Sequence, residues 1–173
     1  MRLTLIAALD EDGAIGRTGG GLPWHLPDET AHFRASCAGQ WLLVGRRTCE
    51  EMTGWFQPDH RVILLTTTPL APETSARFPQ DLHVAASVPA ALESARRAGA
   101  PELVVIGGAR TYAEALPMAD RLVLSRIALR SGGSVLFPAV DWTRWTLRHR
   151  EPERTDRTTG VAFRVEHWER GPK

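Results

Sequence analysis

Glu29 is the residue whose type and setting best suit acid–base work. It follows Leu22-Pro23-Trp24-His25-Leu26-Pro27-Asp28 and falls in the first turn of a helix that the proline and acidic residues announce. Phe33, four residues on, shares its helix face. A carboxylate beside Trp24 and Phe33 is partly desolvated, and desolvation raises a carboxyl pKa. The same position also suits an acid that only answers the helix dipole, although Asp28 fits that plainer role better.

Anion chemistry has two candidate places. Gly45-Arg46-Arg47-Thr48 and Gly107-Gly108-Ala109-Arg110-Thr111 each follow an apolar run and open a helix. Glycine and free backbone N–H groups at a helix start attract anions, and arginine adds a planar fork suited to phosphate. Thr66-Thr67-Thr68 ends a third run and brings hydroxyls to the same edge. Two phosphate-grade sites on one edge fit a dinucleotide better than a mononucleotide. Either alone also reads as a plain turn, and neither matches G-x-G-x-x-G or a P-loop.

Other chemistries are disfavoured. His25, His32, His60, His83, His149 and His167 show no metal-ligand spacing, so no metal is expected. No serine lies in G-x-S-x-G, which argues against acyl transfer. Cys37 and Cys49 cannot form a disulfide framework or a four-thiolate zinc site, and both read as inert thiols. A reduced, cytoplasmic setting follows as the expectation.

The elements that must position these groups alternate. Apolar runs at 3–9, 41–44, 62–65, 82–85, 103–106 and 121–127 read as strands, and the first, second, third and fifth suit burial on both faces. Helices are expected over 28–38, 48–53, 88–98 and 109–116. Residues 142–149 and 161–168 alternate apolar and polar types, as an antiparallel pair does, with Thr158-Thr159-Gly160 as the bend. The order predicts a single α/β domain over 1–173 with a mostly parallel sheet. In such sheets ligands bind outside the carboxyl ends of the strands. Residues 11–27, with five glycines and two prolines, and residues 131–138 are the long irregular segments, and 68–79 reads as a surface loop.

At 173 residues, 43% hydrophobic and 24% charged, the chain is neither disordered nor fibrous. A net charge of +1 argues against a nucleic-acid binder, and no apolar run is long enough to span a membrane. The N-terminal stretch lacks a cleavage site and reads as a first strand.

Four motifs in order resemble dihydrofolate reductases across nearly the whole chain. They are Ile6-Ala7-Ala8 with Ile15-Gly16, then Leu22 through Glu29, then Val44-Gly45-Arg46-Arg47-Thr48, and Ile106 through Tyr112. The resemblance implies an eight-stranded mixed sheet flanked by helices, NADPH as hydride donor and a dihydropterin or dihydrofolate as acceptor. It makes Glu29 the acidic pocket residue, five positions after Trp24, with both assigned to catalysis. It implies a substrate pocket of Ile6, Ala7, Ala8, Thr30, Phe33, Met52, Ile106 and Tyr112, with Ser125 in place of a threonine that helps hold Glu29. Gly16 to Trp24 matches a mobile active-site loop. Arg46, Arg47 and Thr66 match the holders of the adenosine 2′-phosphate. Ala8, Ile15, Gly16, Gly45, Thr48, Thr67, Ala109, Arg110, Thr111 and Tyr112 complete the cofactor side, with Gly107 and Gly108 joined by a cis peptide near the nicotinamide. A monomer that works on small molecules, without nucleic acid or membrane, is expected.

The chain departs from the family pattern in three places. In Pro58-Asp59-His60-Arg61-Val62 an aspartate stands where the family carries an arginine for the substrate's glutamate tail. Thr30 takes a pocket position that is usually apolar. Gly133-Ser134-Val135 replaces Gly-Asp-Thr ahead of Phe137-Pro138, which predicts a weaker contact to the mobile loop. Three alternatives stand beside dihydrofolate reduction. One is a reductase of another pterin or a specialised-metabolite ring. Another is a nucleotide-binding domain without reductase activity, which Glu29 and Trp24 argue against. The last is a flavin-pathway reductase, which would lack the Pro-Trp-x-Leu-Pro-x-acid segment.

Overall fold

The β-branched runs form the interior of one sheet. In a computed structural model, which describes residues 1–52, 54–68 and 82–171, the chain begins with β1 (Arg2–Leu9), β2 (Ala14–Gly16) and α1 (Pro27–Cys37). There follow β3 (Trp41–Gly45), α2 (Arg46–Glu51), β4 (Arg61–Leu65), β5 (His83–Ala85), α3 (Val88–Arg97), β6 (Glu102–Val105) and α4 (Ala109–Ala115). The remainder is β7 (Arg121–Ile127), β8 (Val135–Leu136), β9 (Trp145–Arg150), β10 (Arg154–Thr155) and β11 (Ala162–Arg170).

The main sheet runs β10-β11-β7-β1-β6-β3-β4-β5, with β9 also on β11. The strands from β7 to β5 are mutually parallel, and β11 lies antiparallel to β7. This is the mixed, mostly parallel sheet foreseen, with nine strands in place of eight. The outer edge accounts for the difference. Pro152 has no N–H to give a ladder, so the edge breaks into β9 and β10 with residues 151–153 between them. Trp142 lies outside the strand expected to contain it. Asp141 Oδ1 accepts the N–H and hydroxyl of Thr143, which bends residues 142–144 into a 3-10 turn. The other expected strands and helices match within about two residues, although Thr53 and residues 69–81 lie outside the described set.

Each face of the sheet carries its own core. Leu3, Leu5, Leu43, Ile63, Leu103 and Val105 pack against the α3–α4 side, where Val88, Ala91, Leu92 and Ala95 form one helical stripe. Ile6, Leu42, Val44, Val62, Leu64, Val104 and Ile106 face α1 and α2. Helix α1 is unusual in what it buries: its fully buried side chains are Glu29 and Cys37. A carboxyl buried in a short helix, without an apolar stripe to account for it, marks a functional element.

The two irregular segments pair with each other. Strand β2 is antiparallel to β8, and Gly133 permits the approach, because a Cβ there would lie 2.8 Å from both the Ala14 Cβ and the Gly16 carbonyl oxygen. Asp10, which is almost fully buried, gathers both segments. Its carboxylate accepts the N–H groups of Asp12, Ala14 and Ser131 and the Ser131 hydroxyl.

Candidate active site

The carboxyl ends of β1, β3, β4 and β6 open into one cavity of about 800 Å³. Strand β1 supplies Ala7 and Ala8, and helix α1 supplies Glu29, Thr30 and Phe33. Met52, just past α2, and Ile106, just past β6, complete an apolar chamber around one carboxyl. Glu29 is 4% exposed. Burial drives its pKa above the usual carboxylate range, and a hydrogen bond with the Ser125 side chain pulls the other way. Burial of this kind lets one group hold a polar ring and tune its protonation.

The second half of the cavity is lined by glycine, hydroxyls and arginines. Gly45, Arg46, Arg47 and Thr48 form one wall, and Gly107 through Tyr112 form another. Thr66 and Thr67 come from the end of β4, and Ile15 and Gly16 from β2. The Gly107–Gly108 peptide is cis, and the Gly107 carbonyl oxygen accepts the Gly45 N–H at 2.7 Å. A Cβ on Gly45 would lie 2.5 Å from Thr111 Oγ1, and one on Gly108 would lie 2.7 Å from Thr48 Oγ1. Only bare backbone fits between these hydroxyls, so Thr48 and Thr111 close on a narrow cradle walled by glycine, of the kind a pyrophosphate needs. The Tyr112 hydroxyl donates to the Ile6 carbonyl oxygen at 2.6 Å and ties α4 to β1.

The arginines lie within α2, which begins at Arg46 and not at Thr48. Arg46 Nε bonds Glu50 at 2.9 Å and Arg47 Nε bonds Glu51 at 3.3 Å, each pair one turn apart. Both pairs are solvent-exposed, hence weak and easily exchanged for a phosphate. Glu51 also accepts the Gly21 N–H, so α2 holds the glycine-rich segment as well. On its other side that segment is held by Ser134, whose hydroxyl oxygen accepts the Thr18 N–H at 2.8 Å and also bonds the Thr18 hydroxyl. The contact at Gly133-Ser134-Val135 is thus present, through a neutral hydroxyl, which accepts more weakly than a carboxylate.

Three residues expected at the site stand behind its wall. Ile6 packs in the sheet core and reaches the site through Tyr112. Ser125 reaches it only through Glu29. Trp24 packs with Leu26, Ile127 and Phe163, and its indole N–H is buried without a protein acceptor. Conversely, Glu51, Trp55 and Glu114 line the cavity although no motif in the sequence marks them. The spacing of Arg47 and Glu51 was a usable signal for the first. Trp55 stacks near Phe33 at 5.4 Å and on His60 at 5.1 Å, and so extends the apolar end.

The thiols of Cys37 and Cys49 are buried, which pushes both up to about 12 and leaves them unreactive. No group of residues suited to a metal ion occurs among the described residues.

Comparison with known proteins points the same way as the cavity. The dihydrofolate reductase family model matches residues 2–170. The dihydrofolate reductase of Neisseria meningitidis serogroup A is 35% identical over 171 residues, covering 97% of this chain and 98% of the relative. That of Bacillus subtilis is 33% identical, covering 84% and 80%. Among solved structures, Enterococcus faecalis dihydrofolate reductase complexed with NADP(H) and RAB-propyl superposes with a TM-score of 0.81 at 29% identity, covering 99% of this chain and 97% of that one. Similarity that runs from β1 through β11, and so includes every wall of the cavity, shows that this chain belongs to the dihydrofolate reductase family.

Proposed function

We propose that this chain reduces 7,8-dihydrofolate to tetrahydrofolate with NADPH, and that Glu29 holds the pterin. The observation that carries this reading is one buried carboxyl in an apolar chamber beside a glycine–hydroxyl–arginine cradle. The cradle fits the cofactor: Gly45, Gly108, Thr48 and Thr111 would face its pyrophosphate, and Arg46, Arg47 and Thr66 its 2′-phosphate. When bound, NADPH supplies the hydride from nicotinamide C4 that the pterin accepts at C6.

The protein's share is orientation and proton control. Glu29 accepts hydrogen bonds from the pterin 2-amino group and N3, which fixes the ring edge. Attack at C6 builds negative charge on N5, and the carboxylate favours the form protonated there, with water bringing the proton. The segment from Gly16 to Trp24 closes over the rings and excludes bulk water. Trp24 packs the base of that segment against Leu26, Ile127 and Phe163, at the entry to α1. Ser125 orients the carboxyl. A steady-state assay of NADPH oxidation in the presence of dihydrofolate tests the reading. NADPH binding without any dihydrofolate reduction overturns it.

The chain acts as a single domain over 1–173 and as a monomer in the cytoplasm, without nucleic acid. The balanced charge supports the absence of nucleic acid, and two buried cysteines, too few for a disulfide framework, suit a reducing compartment. Among the described residues, no helix is long and apolar enough to cross a membrane.

A second reading, reduction of a pterin without a glutamate tail, rests on Asp59. That residue is exposed, off the cavity wall and near Gly39. Arg61 does not replace the missing cation, because its guanidinium lies over the Trp41 ring at 5.7 Å. The cavity end formed by Phe33, Met52 and Trp55 is apolar.

A further inference from the structure

Helix α1 lacks a cap of its own. Its N-cap residue, Leu26, makes no side-chain bond, and Pro27 has no N–H. The missing acceptor comes from 128 positions away: Asp156 Oδ2 accepts the Asp28 N–H at 2.9 Å. Asp156 has no exposed surface. Its other oxygen accepts the N–H groups of Thr158 and Thr159 at 3.0 Å each and the Thr159 hydroxyl at 3.1 Å. Gly160, at φ +73°, closes the turn, and its N–H bonds the Asp156 carbonyl oxygen. The turn between β10 and β11 is thus organised around one carboxylate whose remaining oxygen caps α1.

The clasp is reciprocal. Asp28 Oδ2 accepts the backbone N–H of Arg157 at 2.8 Å, and the Arg157 guanidinium bonds both carboxylate oxygens of Asp28, the shortest contact 2.6 Å from Nη2. Glu29 is the next residue. Its carboxyl meets Ser125, and Ser125 on β7 pairs with Val165 on β11. Both ends of Glu29 are therefore referenced to the same hairpin. The backbone is held by the hairpin's turn, and the carboxyl is held through the strand that leaves that turn.

We infer that the 156–160 turn sets the position of Glu29 in the cavity, with Asp156, Arg157 and Asp28 as positioning residues for pterin reduction. The inference rests on the proposed function. Loss of the clasp lets the first turn of α1 fray and shifts Glu29 relative to the ring it orients, while the cofactor cradle on α2 and α4 is untouched.

The test uses Asp28→Ala, Asp28→Asn and Arg157→Ala in the full chain, all near the surface and compatible with folding. The hydride-transfer rate is measured in single turnover, with the KM for dihydrofolate and the Kd for NADPH. A misplacement of ~1 Å costs up to about 100-fold, so Asp28→Ala and Arg157→Ala are expected to slow hydride transfer about tenfold and raise the dihydrofolate KM. The NADPH Kd stays within about twofold. Asp28→Asn recovers most of the rate, because its amide oxygen still accepts the Arg157 N–H. Rates within about twofold of the parent in all three variants, whatever happens to Tm, overturn the inference, and so does an Asn variant as slow as the Ala variant. A parent chain that binds NADPH but reduces no dihydrofolate overturns the proposed function and the positioning role with it.

Discussion

The Glu51 carboxylate accepts the Gly21 N–H at 3.2 Å and so joins the glycine-rich segment to helix α2. A Cβ on Gly20 would lie 2.6 Å from Glu51 Oε1, and Gly20 has a positive φ, so the segment meets this acid with backbone alone. One such bond contributes about 0.5–1.5 kcal/mol. Replacing Glu51 with Ala is expected to speed release of bound folate about two- to tenfold, as read by stopped-flow displacement. Unchanged release would mean that this contact does not restrain the segment.

Glu29→Gln keeps the shape of the side chain and removes its charge. Turnover at neutral pH should fall on the order of 100-fold or more, the usual contribution of a positioned acid–base group. NADPH affinity should stay within about twofold, because Glu29 lies at the pterin end of the cavity. The deficit should shrink as pH falls and solvent protonates the pterin unaided. Full activity at neutral pH would remove Glu29 from the chemistry.

The same substitution should stabilise the fold. The Glu29 pKa is raised in the folded state above its ordinary value of 4.5, chiefly by burial. Relative to the unfolded chain, folding favours the neutral carboxyl, and that contribution is complete below pH ~4.5. That contribution is lost as pH rises through the higher folded value, when a charge must be held in the apolar chamber. Near neutrality Glu29→Gln should therefore raise Tm, by about 2–4 °C for each kcal/mol relieved. Below pH ~4.5 the two proteins should melt together. A lower Tm for the variant at pH 7 would contradict this.

Arg46→Ala and Arg47→Ala test the phosphate end. Each arginine bonds a glutamate one turn away, and these exposed pairs compete little with a dianionic group. Each substitution should weaken NADPH binding about tenfold, the usual scale for one charge-assisted bond of about 1.5 kcal/mol, and leave NADH nearly unaffected. Equal losses for both cofactors would reject a role at the 2′-phosphate.

Asp59 makes a prediction about the substrate tail. With Asp59 exposed and Arg61 stacked over Trp41, this side of the cavity offers no described cation to a glutamate carboxylate. Dihydrofolate and a tail-less dihydropterin should then differ in kcat/KM by less than about tenfold. A preference of 100-fold or more for dihydrofolate would show that another residue grips the tail.

The parts legible in the sequence were those with strong local causes. Nearly continuous apolar runs in β1, β3, β4 and β6 reported burial on both faces, and Pro27 with two acids marked the start of α1. Glycines at 45, 107 and 108 located the strand ends that form the cradle. The features missed depend on distant partners. Strands β2 and β8 are two or three residues long, and each exists because the other lies alongside. Glu51 reads as a solvated acid until Gly21, thirty residues earlier, is placed against it. Trp24 is expected beside the ligand, and the fold packs it with Leu26, Ile127 and Phe163 behind the cavity wall, while Ser125 meets Glu29.

Strand β11 lies inside the sheet, with β7 on one side and β9 and β10 on the other. Residues 162–170 therefore complete the interior and do not trim its margin. During synthesis, the ribosome must release this segment before Ser125 gains its neighbour Val165 and before the 156–160 turn can reach α1. The cradle at 45–48 and 107–111 and the place of Glu29 belong to one sheet and one core, so neither is complete until these residues arrive. Nucleotide binding and reduction therefore come to the growing polypeptide together.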